Sequence, residues 1–208
     1  MFIQRTIMRN MVISVERELE TMEYAMLWLV AYTFLLRVPS EALPITRGDV
    51  NTLMVGQAVI YLENEKTLAL RLKCRKNKPR GGILRRGCIC TADSRTCPVH
   101  TLWHKFLEPM EIGTQPWGSI SASTARNHLR ETLERLAVPN AGNYGTHDLR
   151  RGHAKDMQLS GASLAQILAA GEWKSRAVAT YVDLERLEHD LALEAAMHSD
   201  DEDCDWID

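Results

Sequence analysis

The chain has 208 residues, 45% of them hydrophobic, and a formal charge of −2, which suits one sizeable core: one domain over residues 1–198 and an acidic tail over 199–208. Six acids and no base lie in Ser199 to Asp208, and the remainder stands at +4, so the near-neutral total does not exclude a polyanionic partner. The strongest apolar run, Tyr24 to Leu36, is too short to cross a bilayer, the N-terminus has no signal-peptide pattern, and five cysteines in such a chain argue for reduced thiols or a metal site over a disulfide framework.

From Val15 to Leu36 the apolar positions Leu19, Met22, Met26, Leu29 and Tyr32 recur at helical spacing and then broaden to all sides, predicting one helix central to the core. Ala58–Leu62 and Leu68–Leu72 flank Glu63-Asn64-Glu65-Lys66, and in the second run Leu68, Leu70 and Leu72 alternate with Ala69 and Arg71. They read as a hairpin, with Gly81-Gly82-Ile83-Leu84 a third strand after a basic turn. Pro98 starts a helix whose apolar face is Val99, Leu102, Trp103 and Phe106. Ser123 caps another, with Leu129, Leu133 and Leu136 as its core stripe and Pro139 to Asn143 as its end. Three helices follow at about 147–159, 163–170 and 175–181, then an amphipathic segment carrying Leu184, Leu187 and Leu191. The expected fold is α+β, mainly α, with one small antiparallel β-sheet.

Arg71, Lys73, Arg75, Lys76, Lys78, Arg80, Arg85 and Arg86 occur with no acid among them, a phosphate-seeking patch or else a solvated charged face. Downstream, Gly145-Thr146-His147-Asp148-Leu149-Arg150-Arg151-Gly152-His153-Ala154 sets His147 and Arg150 three residues apart, on one helix face where the pair can grip a phosphate. Gly171-Glu172-Trp173-Lys174-Ser175 and Tyr181 follow. Upstream, Arg37 closes an apolar helix in Phe34-Leu35-Leu36-Arg37-Val38-Pro39-Ser40-Glu41-Ala42-Leu43.

In this order the boxes resemble the catalytic domain of tyrosine recombinases (the phage-integrase family). Their wording, with the basic hairpin and cysteine segment between them, is most similar to the recombinases of Crypton-type eukaryotic mobile elements. The resemblance runs from about Tyr24 to Leu187. It implies cleavage and rejoining of DNA through a 3′-phosphotyrosyl bond, with Tyr181 as nucleophile, Arg37 and Arg150 on the non-bridging oxygens, and His147 moving a proton or hydrogen-bonding the phosphate. It also implies a hairpin lysine that protonates the leaving 5′-oxygen. Lys76 is our choice, with Lys73 and Lys78 as alternatives. Two spacings depart from the commoner pattern. Ser40 holds the place of the acid that follows the first arginine, with Glu41 one later; Glu172 lies nine before the tyrosine, so Trp173, at eight, is assigned as the indole donor to the phosphate.

The chemistry is consistent with these residue types. Forked guanidinium donors suit a trigonal-bipyramidal phosphorus better than a point charge, imidazole titrates near neutrality, and tyrosine, with a free pKa of about 10, needs nearby cations or a base. Arg71, Lys73, Arg75, Lys78 and Arg80 are assigned to DNA binding, and Arg151 to backbone phosphates or support of the fold. Double-stranded DNA is the expected partner, with tetrameric assembly through the segment after Tyr181, no membrane, and a nuclear location if the source is a eukaryotic mobile element. The family's usual N-terminal core-binding domain is expected to be missing.

Catalysis of this kind needs no cofactor. Cys88, Cys90, Cys97 and His100 stand in C-x-C-x6-C-x2-H order, which can complete one structural zinc site or can be two pairs of reduced cysteines flanking a loop. Two other functions stay open: a catalytically silent, domesticated or truncated DNA-binding relative, and a zinc-stabilised protein-interaction domain.

Overall fold

The stretch expected as one helix from Val15 to Leu36 is two. In the computed structural model, which describes residues 1–17, 21–51, 56–74, 79–173, 182–183 and 187, α1 (Arg5–Glu16) and α2 (Met22–Thr33) are separate elements. The helical spacing extends back before Val15, through Ile7, Met8, Met11 and Val12, and α1 buries Met8, Met11 and Val12 along one face against α2. α2 is buried on all sides from Ala25 to Thr33, as its nearly unbroken apolar sequence requires. It ends where Leu35 adopts φ +52°, and the Leu36 amide donates back to the Ala31 carbonyl at 2.8 Å. That terminus usually takes glycine. Leu35 tolerates it because its side chain is fully buried in a second apolar cluster with Ala154, Ile167, Val182 and Leu187.

After a π-helical turn (Val38–Ala42), a four-stranded sheet forms in the order β1 (Thr46–Arg47), β2 (Ala58–Leu62), β3 (Thr67–Leu72) and β4 (Gly82–Gly87). The expected hairpin and third strand are β2, β3 and β4, antiparallel in register Val59 to Leu70 and Leu70 to Leu84. The sheet is mixed, not wholly antiparallel, because two-residue β1 pairs parallel with β2. An element so short has no alternation to read. Leu68, Leu70 and Leu72 all face the core.

The helix from Pro98 is present as a π-helix (Pro98–Leu107) that buries Val99, Leu102, Trp103, Phe106 and Leu107. α3 (Ala122–Arg135) is capped by Ser121, whose hydroxyl accepts from the Thr124 amide at 3.1 Å, two residues before the expected Ser123. Ser123 instead lies in the first turn, its hydroxyl 2.9 Å from that of Ser121. α4 (His147–Leu159) matches its expected span, and α5 (Leu164–Gly171) starts in a capping box of Ser163 and Gln166. The architecture is α+β and mainly α. The helix expected at 175–181, most of the segment after Tyr181, and the acidic tail lie outside the described residues.

α4 is held against α1 and α2 through Asp156, whose carboxylate accepts from the Tyr32 hydroxyl at 2.6 Å, the Arg5 amide at 2.7 Å and the Gln4 side chain at 3.2 Å. Beside it His153 stacks on Tyr32 and donates from Nδ1 to the Tyr32 carbonyl at 2.7 Å. Burial pushes this imidazole down to about 4, against the stabilising pull of that hydrogen bond and with help from Arg86 and Arg5. The folded chain therefore keeps the ring neutral where the unfolded chain takes up a proton, so stability is full above about pH 6.5. It is expected to fall by up to about 3 kcal/mol as the pH drops to 4. Urea midpoints between pH 7 and 4 measure this slope. His153→Gln should flatten its share of it, and an equal slope in wild type and variant would exclude His153 as its source.

Candidate functional site

Arg37 is placed by the end of α2 and by the turn that follows. In that turn the Glu41 amide bonds the Arg37 carbonyl four residues back, while the Ala42 and Leu43 amides reach five back, to Arg37 and Val38. The wider turn accommodates one residue more than an α-turn would, and Glu41 comes to lie under Arg37. One Glu41 oxygen is 3.6 Å from the Arg37 guanidinium; the other accepts from the Arg37 amide at 2.8 Å and lies 3.7 Å from the Arg150 guanidinium. Glu41 and Arg150 are each only 2% exposed, so this pairing is made in a low-dielectric interior. Arg37 remains 31% exposed, and His147 is exposed beside it.

Arg150 projects from the first turn of α4, donates to the Gly171 carbonyl at 2.7 Å, and lies 4.6 Å over the Trp173 ring. A Cβ at Gly171 would stand 1.9 Å from the Trp173 ring, so the ring keeps this position only over a glycine. Trp173 therefore serves as a cation–π platform for Arg150. His147, one turn before Arg150, is held below the ordinary imidazole range by burial, then by the charges of Arg150 and Arg151, with Arg37 adding to them and Asp148 opposing. It is neutral near pH 7 and can accept a proton. Arg37 and Arg150 thus meet at Glu41, with Trp173 against Arg150 and His147 within electrostatic reach of both arginines, so four of the six catalytic candidates share one cluster. The other two, Tyr181 and Lys76, lie outside the described residues.

Further residues shape this cluster without a signature in the sequence. Gln57 donates to the Glu41 carbonyl at 2.7 Å and the Trp117 indole to the Ala42 carbonyl at 2.8 Å, fixing the π-turn from two sides. A glutamine before a strand and a tryptophan in a loop acquire this role only by long-range contact.

Of the DNA-binding candidates, Lys73 and Arg80 are exposed and Arg71 is half-buried on β3, while Arg75 and Lys78 lie outside the described residues. Arg151 is 3.4 Å from Asp148 on its own helix, an arrangement that supports the first turn of α4. The basic run is less uniform in space than in sequence. Arg86 turns inward to the Thr33 carbonyl at 2.8 Å and lies over the Phe34 ring, and Arg85 pairs with Glu65 at 3.6 Å.

Cys88, Cys90, Cys97 and His100 gather at the junction of β4 and the π-helix, with all four ligand atoms within 4.8 Å of one another, and they can hold a metal ion. His100 Nδ1 is 3.4, 3.0 and 3.5 Å from the sulfurs of Cys88, Cys90 and Cys97, and the Cys88 and Cys97 sulfurs are 3.7 Å apart. Burial and the neighbouring Cys97 and Cys88 sulfurs push the Cys90 thiol up to about 12, whereas the Cys90 backbone amide chiefly lowers that of Cys88.

Among the described residues no helix is long and apolar enough to cross a membrane. The sequence matches no protein-family model and no curated protein.

Proposed function

We propose that the chain is a DNA strand transferase of the tyrosine-recombinase type, similar to those of Crypton-type mobile elements. The observation that carries this reading is the pairing of Arg37 and Arg150, far apart in sequence, on the buried Glu41, with His147 within electrostatic reach of both arginines. The π-turn accounts for the odd position of the acid: an extra residue between Arg37 and Glu41 is absorbed by hydrogen bonds reaching five residues back.

In the proposed reaction the Tyr181 hydroxyl oxygen attacks the phosphorus of one DNA strand. A P–O bond to tyrosine forms as the P–O5′ bond breaks, leaving a 3′-phosphotyrosyl ester and a 5′-hydroxyl. Neutral His147 takes the tyrosine proton, a hairpin lysine, Lys76 by choice, supplies the proton to the 5′-oxygen, and Arg37 and Arg150 hold the charge that gathers on the non-bridging oxygens. Rejoining is the same path reversed, with a 5′-hydroxyl as nucleophile. Lys73, Arg75, Lys78, Arg80 and Arg71 would follow the backbone of double-stranded DNA, in a nuclear setting and as a tetramer on paired sites. For the cysteine and histidine cluster we assign a structural zinc ion, outside the strand-transfer chemistry.

Nicked duplex oligonucleotides that shed a short 5′-hydroxyl strand trap the cleaved state. A denaturant-resistant protein–DNA adduct is expected, absent in Tyr181→Phe. Salt-sensitive binding with no adduct in wild type would replace this reading with that of a catalytically silent DNA-binding relative.

A further inference from the structure

We infer that Cys88, Cys90, Cys97 and Nδ1 of His100 close one tetrahedral zinc site whose work is to clasp the loop between β4 and the π-helix into the shape that docks α1. The inference rests on the zinc assignment and is independent of strand transfer.

The separations are those a zinc ion imposes. Bonds of about 2.3 Å to sulfur and 2.0–2.1 Å to nitrogen place two sulfurs of a tetrahedron about 3.8 Å apart and a sulfur about 3.6 Å from the nitrogen. The Cys88 and Cys97 sulfurs are 3.7 Å apart, and they lie 3.4 and 3.5 Å from Nδ1. Cys90, at 3.0 Å from Nδ1, needs a small outward shift. Two backbone amides already point at sulfur, Cys90 to Cys88 and His100 to Cys97, each at 3.5 Å. Such donors stabilise thiolates and orient them as metal ligands. Three thiolates and one imidazole complete four-coordination and leave no open position, the pattern of a structural site.

The loop is otherwise held by polar contacts, among them the Thr101 hydroxyl, which donates to the Ser94 carbonyl at 2.9 Å. From Cys88 to Cys97 only Thr96 and Cys97 are buried. A cleft of about 470 Å³ separates it from α1, lined by Arg5, Thr6, Arg9, Cys90, Asp93 and Ser94, with no large apolar side chain filling it. The contacts across are ionic: Arg9 lies 3.9 Å from Asp93, and Arg95 pairs with Glu16. Asp93 and Arg95 can meet α1 only if the loop keeps its turn, which the Ile89 carbonyl begins and the Asp93 carboxylate continues by accepting from the Arg95 amide and the Thr96 hydroxyl. The ligands bracket that turn, so the ion fixes both its ends.

The test is elemental analysis and hydrogen exchange on the full chain. One zinc per chain is expected, replaceable by Co(II) with the visible absorption of a tetrahedral thiolate site. Chelation should cut protection at least tenfold in 88–100 and in α1, and leave α3 unchanged. His100→Cys should keep the ion and the protection, and Cys97→Ala should lose both. A chain that binds neither Zn(II) nor Co(II) would overturn the site and the clasp together. A chain that binds zinc but exchanges α1 equally with and without it, or loses α3 equally, would overturn the clasp alone.

Discussion

Arg150→Ala is expected to destabilise the fold by about 3–5 kcal/mol, the cost of breaking a buried ion pair from one side. Glu41, 2% exposed, would face one guanidinium in place of two, the Gly171 carbonyl would lose its donor at 2.7 Å, and Trp173 would lose the cation 4.6 Å above it. For a chain of this size the loss corresponds to a fall in Tm of roughly 6–20 °C. Under the proposed strand transfer, adduct formation on nicked DNA should drop at least about 100-fold, as for removal of one donor to a developing oxyanion. Arg150→Lys separates the two effects. It keeps a positive charge near Glu41 and should retain more of the stability, yet it cannot supply forked donors to phosphate and should still lose cleavage. Glu41→Gln combined with Arg150→Met should be less destabilised than the sum of the single changes, because no charge is left buried alone. An Arg150→Ala protein with the wild-type urea midpoint would show that the guanidinium does not hold α4, the π-turn and the Gly171 turn together.

Gly152→Ala is expected to destabilise by about 2–4 kcal/mol for a different reason. A Cβ at this position would stand 1.8 Å from the Ile3 carbonyl oxygen and 2.3 Å from its carbon, with no flexible side chain to yield. Backbone must move, at a cost typical of overpacking, and the segment that moves carries Ile3, which is fully buried, and the Ile3 amide bond to the Asp148 carbonyl at 3.0 Å. Asp148 and Asp156 would lose their partners at the N-terminal segment next, so the first turns of α1 should open to proteolysis at temperatures where α3 stays protected. Thermal unfolding and limited proteolysis measure the two consequences. An unchanged Tm would mean that the approach of Ile3 to α4 is not needed for stability.

Gly152 shows why parts of this molecule were legible and others were not. In sequence it stands in the middle of a clear helix, where glycine is merely unfavourable, and nothing local says that another chain segment lies against it. His147 and Arg150 were legible because their relation is local, three residues on one helix. Arg86 was misleading for the complementary reason: its neighbours in sequence are basic, but its partners, the Thr33 carbonyl and the Phe34 ring, come from the last residue of α2 and the residue that follows it.

The sequence by itself determined the spans of α4 and α5, the three antiparallel strands and their core-facing leucines, and the four side chains that can hold a metal ion, because each follows from periodicity, caps or spacing within a few residues. Tertiary structure alone decided that Glu41 lies between Arg37 and Arg150, that the chain breaks into α1 and α2, and that Leu35 takes a left-handed conformation. These depend on which surfaces are buried together. Packing of α4 against α2 brings the Arg150 charge to the end of α2, and burial in the second cluster offsets the backbone cost at Leu35, terms that no window of neighbouring residues contains.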